Sequence, residues 1–144
     1  MGAEDLVPNV EIGEDLYPKS SKIITMLCDE DTVRKGRFVT LTDGENWPPK
    51  CHEADAGDQI AGVALEAGDT GEYILVLIDG LTKMYAGAAV ATGDVVKSDD
   101  EGRAVAVAAT NVKMEGGVAM MAAGEADDEF IVFVSLIAHN QVIA

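Results

Sequence analysis

The stretch AGDQIAGVALEAGDTGEYILVLI, residues 56–78, decides how this chain is read. It is a glycine-bounded apolar run, a polar turn and a second apolar run. Residues 112–137, VKMEGGVAMMAAGEADDEFIVFVSLI, repeat nearly the same message. Gly62-Val63-Ala64 matches Gly117-Val118-Ala119 at an offset of 55 (62 to 117), and Ile74–Leu77 matches Ile131–Val134 at 57 (74 to 131). Upstream, Gly36-Arg37-Phe38-Val39 matches Gly93-Asp94-Val95-Val96, again at 57 (36 to 93). Taken alone, Met114–Ala126 has the Ala and Met content of a helix. Its match to a strand-like first copy makes 117–122 a strand instead.

The rest of the chain from Ile23 reads the same way. Runs at 22–27, 36–41, 60–65, 73–78, 83–85, 95–97, 104–107, 117–121 and 130–136 are rich in β-branched and apolar residues and punctuated by Gly and Asp. That pattern predicts an all-β fold, a small barrel or sandwich. One copy, about 45 residues long, is too small to bury a core alone, so two similar β-modules close one. The repeat is placed at approximately 34–79 and 91–137, within a single β-domain spanning 23–144. Residues 1–22 stand apart. Pro8 and Pro18 oppose a regular helix, and the segment reads as an extended N-terminal arm with spaced apolar residues Leu6, Val7, Val10, Ile12, Leu16 and Tyr17.

Composition narrows the function. Twenty-six Asp and Glu against 10 Lys and Arg give a net charge of −16. Such a chain repels phosphate backbones and anionic bilayers, so neither nucleic acid nor membrane is an expected partner. The N-terminus lacks a basic segment followed by an apolar one, and no apolar run approaches a bilayer span of about 18 residues. The reading is a soluble protein made in a cytoplasm. Cys28 and Cys51 are too few for a disulfide framework and read as thiols.

Catalysis needs a nucleophile, an acid or base, and a stabiliser of charge. The two histidines, His52 and His139, sit in no recognisable motif. Cys51 and His52 are adjacent, and a strand points adjacent side chains to opposite faces, which argues against a zinc site with Cys28 and His139. The acidic runs at 29–31, 99–101 and 127–129 lack calcium-loop spacing and read as solvated turns, Asp99-Asp100-Glu101-Gly102 as a hairpin turn. No enzyme activity, metal or cofactor is expected. Lys83, in Thr82-Lys83-Met84 ahead of Gly93-Asp94-Val95-Val96, raises an alternative: a biotinyl- or lipoyl-like carrier or adaptor domain.

Residues 80–105, GLTKMYAGAAVATGDVVKSDDEGRAV, are the most informative stretch. Ala86-Gly87, Val90, Gly93-Asp94, Val96, Ser98-Asp99, Gly102 and Ala104 follow an order that resembles the capsid decoration, or cement, proteins of tailed bacteriophages. The resemblance covers roughly 23–137; the arm and the NWPPKCHEAD segment lie outside it. It implies a non-enzymatic virion protein on the capsid exterior, made in the host bacterial cytoplasm, that bridges major capsid subunits. It also implies a homo-oligomer, with a trimer favoured. In that setting the arm's Leu6, Val7, Val10, Ile12, Leu16 and Tyr17 are the candidate capsid-binding residues.

Overall fold

The computed structural model describes residues 21–29, 31–43, 45, 47–107 and 115–135. Among the described residues the strands are β1 (Lys22–Cys28), β2 (Phe38–Asp43), β3 (Lys50–Glu53), β4 (Gly62–Ala64), β5 (Tyr73–Tyr85), β6 (Val95–Ser98), β7 (Ala104–Ala106), β8 (Gly117–Ala119) and β9 (Glu129–Ser135). The all-β expectation holds, and the architecture is a barrel. Strands run in the order β1-β3-β2-β4-β5, and β1 also pairs with β5, so five strands close on themselves. The remainder, β5-β9-β8-β6-β7, forms a second five-stranded array. It returns to the end of β5 through a parallel bridge, Ala86↔Ala104, where the Gly87 N–H donates to Ala104 O at 2.8 Å. The first array closes alike, through the parallel pairing Cys28↔Cys51.

β5 belongs to both arrays. Its first half pairs with β1 and β4, and its second half, from Asp79 to Tyr85, pairs with β9. The sequence reading gave separate runs at 73–78 and 83–85 for what is one 13-residue strand, and glycine inside a strand ordinarily weakens it. Here Gly80 sits where the chain passes between barrels, at φ +147, and a Cβ there would lie 2.5 Å from Ser21 Oγ. The glycine permits the passage rather than ending the strand. β3 is the other difference: the segment after Trp47-Pro48-Pro49 carries no alternating apolar signal, yet pairs with β2 and β1.

Pairing also refines the repeat. Met26 faces Ile74 across the first barrel's β1–β5 ladder, and Met84 faces Phe130 across β5–β9. Ile74 therefore corresponds to Phe130, an offset of 56 (74 to 130), not to Ile131 as matching letters imply. A one-residue slip exchanges the faces of a strand, and burial agrees: Ile74 and Val76 point inward, as do Phe130 and Val132.

Two apolar clusters follow. The interior of the first barrel holds Met26, Cys28, Val33, Val39, Cys51, Ala64, Ile74 and Val76. The second barrel's interior, with Met84, Val96, Phe130, Val132 and Val134, merges with Phe38, Ala54, Ile60, Val63 and Leu77 from the first module. The row Phe38–Val63–Leu77, in register across β2, β4 and β5, lies on the opposite face of its strands from Val39, Ala64 and Val76. It is the outer surface of the first barrel, sealed by the end of the second. Gly116 makes the seal possible, since a Cβ there would lie 2.5 Å from the Phe38 ring.

Polar contacts fix the orientation. The Phe38 N–H donates to Gly102 O at 2.8 Å, Ser98 Oγ to Ala54 O at 3.2 Å, and Arg37 Nη1 to Glu101 O at 2.9 Å. The buried apolar row supplies most of the stabilisation, because half-exposed ion pairs such as Arg34–Glu53 contribute about 0–1 kcal/mol. Replacing Gly116→Val is expected to force the Phe38 ring aside and destabilise the protein by about 1–3 kcal/mol. Chemical denaturation measures it; an unchanged midpoint shows that the two modules do not meet there.

Candidate functional surface

Of the residues that sequence reasoning weighed for chemistry, the structure describes Cys28, Cys51, His52 and Lys83. Cys28 and Cys51 are register partners on β1 and β3, both free and both inside the first barrel. Burial pushes the Cys51 thiol up to about 12, helped by Cys28 and Asp29. Burial also raises Cys28, with Glu72 and Asp69 adding to it. These are inert, neutral thiols. His52 lies on β3 beside buried Cys51 but is itself half-buried, its Nδ1 2.6 Å from Thr42 Oγ1. His139 lies outside the described residues, as do Leu6, Val7, Val10, Ile12, Leu16 and Tyr17. Among the described residues, no three His, Cys, Asp or Glu side chains are placed to hold a metal ion.

Lys83 lies within strand β5, two residues before its end at Tyr85. It pairs with Ile131 across the β5–β9 ladder, and its Nζ is 3.9 Å from Glu129 Oε1. A carrier lysine must project from a turn to enter a ligase, so the biotinyl- or lipoyl-like alternative loses its physical basis.

The acidic turns are more than solvated surface. Asp99 Oδ1 accepts the N–H groups of Glu101 and Arg103, and its Oδ2 accepts Arg103 Nε at 2.9 Å. Arg103 also meets Glu101 and Asp127, at 3.0 Å each, and its charge is held more firmly by the hydrogen bonds to Asp127 and Asp99. Asp128 Oδ2 accepts the Gly124 and Glu125 N–H groups, and Asp94 Oδ2 accepts that of Ala91. Carboxylates that mimic a backbone turn explain why Gly-Asp recurs between strands.

Arg37 sits at the junction. Burial, then the nearby Arg34, lowers its pKa, while its guanidinium lies 5.2 Å from the Tyr85 ring centroid. Arg34 holds Glu53 through two nitrogens, and that hydrogen bonding raises its pKa.

What remains for function is the outer surface. On β1 and the first half of β5, register partners Thr25↔Leu75 and Leu27↔Tyr73 share a face with Ile23. Tyr73 is 59% exposed and Leu75 41% exposed. Trp47, at the β2–β3 connection, is 77% exposed. Sequence reasoning missed these residues. YILVLI is apolar at every position and reads as a strand buried on both sides, whereas its odd positions face outward here. The fold thus defines a class: a double β-barrel whose turns are built by its acids and whose apolar side chains on the outer faces are available to partners.

The comparisons bear on that class. Among solved structures, the fold is similar to the head fiber gp8.5 N base of bacteriophage phi29, with a TM-score of 0.63 at 19% identity. The likeness covers 81% of this chain and 95% of that one, and at such identity it is one of fold. No match is found among curated proteins. The family described as phage cement protein matches residues 19–136, and the chain belongs to that family. It is a phage structural protein.

The thiols give a measurable consequence. Their pKa values rise above the ordinary 9.0 on folding, so in alkali the unfolded chain loses protons that the folded chain keeps. Stability from this source is intact below pH 9 and falls as pH climbs toward 12. A thiol-specific chromogenic reagent at pH 8 is expected to label neither cysteine in the native protein and both after denaturation. Rapid native labelling of Cys51 contradicts its burial.

Proposed function

We propose that this chain binds the outer surface of a phage capsid and stabilises it by bridging major capsid subunits. The observation that carries this reading is the cement-family match across 19–136, the span that contains both barrels. The exposed Ile23–Leu75–Tyr73 face supports it, because a patch of this kind on a soluble β-protein is suited to a protein partner. The arm leads into that face at Lys22, so Leu6, Val7, Val10, Ile12, Leu16 and Tyr17 extend the same contact along the capsid. Several copies act together, with three at a local three-fold position. Many modest contacts on one shell then add to a large resistance to internal pressure. The partner is protein, neither nucleic acid nor membrane, in keeping with a charge of −16. Synthesis takes place in the host bacterial cytoplasm, and the final location is the capsid exterior.

The test uses expanded heads that lack the protein. Purified chain is expected to bind saturably and raise the melting temperature of the heads. Deleting residues 1–20, or combining Tyr73→Ala with Leu75→Asp, is expected to weaken binding about tenfold or more while circular dichroism stays β-rich. Heads that take up no wild-type protein refute the reading.

A further inference from the structure

Within one chain, the second barrel sits on the first through two complementary surfaces. The first barrel supplies the outer row Phe38–Val63–Leu77, with Leu65 packed beside it. The second barrel supplies one end, where Thr82, Ser98, Gly116 and Val134 lie. Thr82 and Ser98 are buried, Ser98 Oγ donates to Ala54 O, and Gly116 abuts the Phe38 ring.

The repeat places a second copy of each surface on the same molecule. Register pairs Val95↔Val118 and Val118↔Phe133 reproduce Phe38↔Val63 and Val63↔Leu77, so Val95, Val118 and Phe133 form the equivalent row on the second barrel. Leu65 corresponds to Met120, each following the β4 or β8 strand. The first row is fully buried, while Phe133 is 37% exposed and Met120 53% exposed. Likewise, Thr82, Ser98, Gly116 and Val134 correspond to Ile24, Leu41, Ala61 and Ile78 at the open end of the first barrel. That end is more apolar than its covered counterpart: Ile24 and Leu41 stand where the buried end has Thr and Ser, yet Leu41 is 50% exposed. Ile24, Ala61 and Ile78 pack partly against the first barrel's own interior, and Leu41 is the member of the set left exposed.

We infer that the open end of the first barrel docks on the exposed row of the second barrel of another copy. This repeats between chains the contact that joins the modules within one chain. The contact is heterologous, so it closes into a ring or continues as a filament according to its rotation. It lacks one component of the internal junction. Arg34 and Arg37, which grip the 99–102 turn, correspond to Ala91 and Asp94, so this interface has no basic clamp and rests on apolar area. The inference extends the three-copy assembly in the reading above. Its test uses no capsid, so the two fail separately.

Sedimentation velocity of the full chain at micromolar concentration is expected to show species larger than a monomer. Phe133→Asp removes the row and Leu41→Asp removes the end. Each alone is expected to raise the dissociation constant about thirtyfold or more and to sediment as a monomer. Mixed in equal amounts, the two variants are expected to form a dimer and nothing larger, because each retains the surface the other lacks. Met120→Asp replaces Phe133→Asp if the latter fails to fold. A monomeric wild-type chain, variants that assemble like wild type, or a mixture that stays monomeric overturns the inference. The last two outcomes assign these faces to the capsid or to another segment of the chain.

Discussion

The passage of β5 from one barrel into the other is the constraint on which the rest depends. Thirteen residues of one strand serve as the last stave of the first barrel and the first stave of the second. A rigid strand shared this way fixes how the second module is placed, and it leaves no flexible linker to order. The end of the second barrel then meets the outer face of the first, and the row Phe38–Val63–Leu77 is removed from water. The first barrel keeps an interior cluster of its own, but the larger apolar cluster draws on both modules and is complete only with this contact. The glycines at 80 and 116 are where this geometry is most exacting, the first for backbone conformation and the second for close approach.

Much of the fold was legible because β structure writes alternation and turn chemistry directly into sequence. The Gly-Val-Ala strands, the apolar runs at 73–78 and 130–136, and the 99–102 hairpin turn all stood out through apolar stretches bounded by Gly and Asp. β3 did not, since Lys50-Cys51-His52-Glu53 offers only one apolar side chain and is held by backbone pairing on both sides. The continuity of β5 was hidden by Asp79-Gly80, which locally resembles a turn and is a strand only because β1 and β9 both supply partners there. Matching letters between copies also misassigned faces. Ile74 and Ile131 look alike, but hydrogen-bond register places Phe130 opposite Met84, and no residue identity reports a slip of one position.

The surface was less legible than the core for a related reason. An apolar residue on an outer face looks the same in sequence as one inside, and Tyr73, Leu75 and Phe133 sit in runs where every position is apolar. Only the closed barrel decides which parity faces out. The acidic runs misled in the opposite sense. Asp99 and Asp128 read as solvated charge, yet each carboxylate accepts backbone N–H groups and builds the turn it occupies. Part of the net charge of −16 is therefore architecture.

That charge also separates the two settings of the repeated contact. Between two copies of so acidic a chain, long-range repulsion opposes approach, and it is screened over about 8 Å at physiological salt. Apolar burial has to exceed it without the help of Arg34 and Arg37. Within one chain, β5 holds the surfaces together at an effective concentration in the millimolar range or above, and the arginine clamp adds direction. The same geometry is thus permanent inside the molecule and concentration-dependent outside it. A protein built this way remains dispersed while dilute and associates where something else gathers the copies. On the proposed function, a capsid lattice that bound the chain at regular positions would supply that gathering, and capsid attachment and contact between copies would reinforce one another.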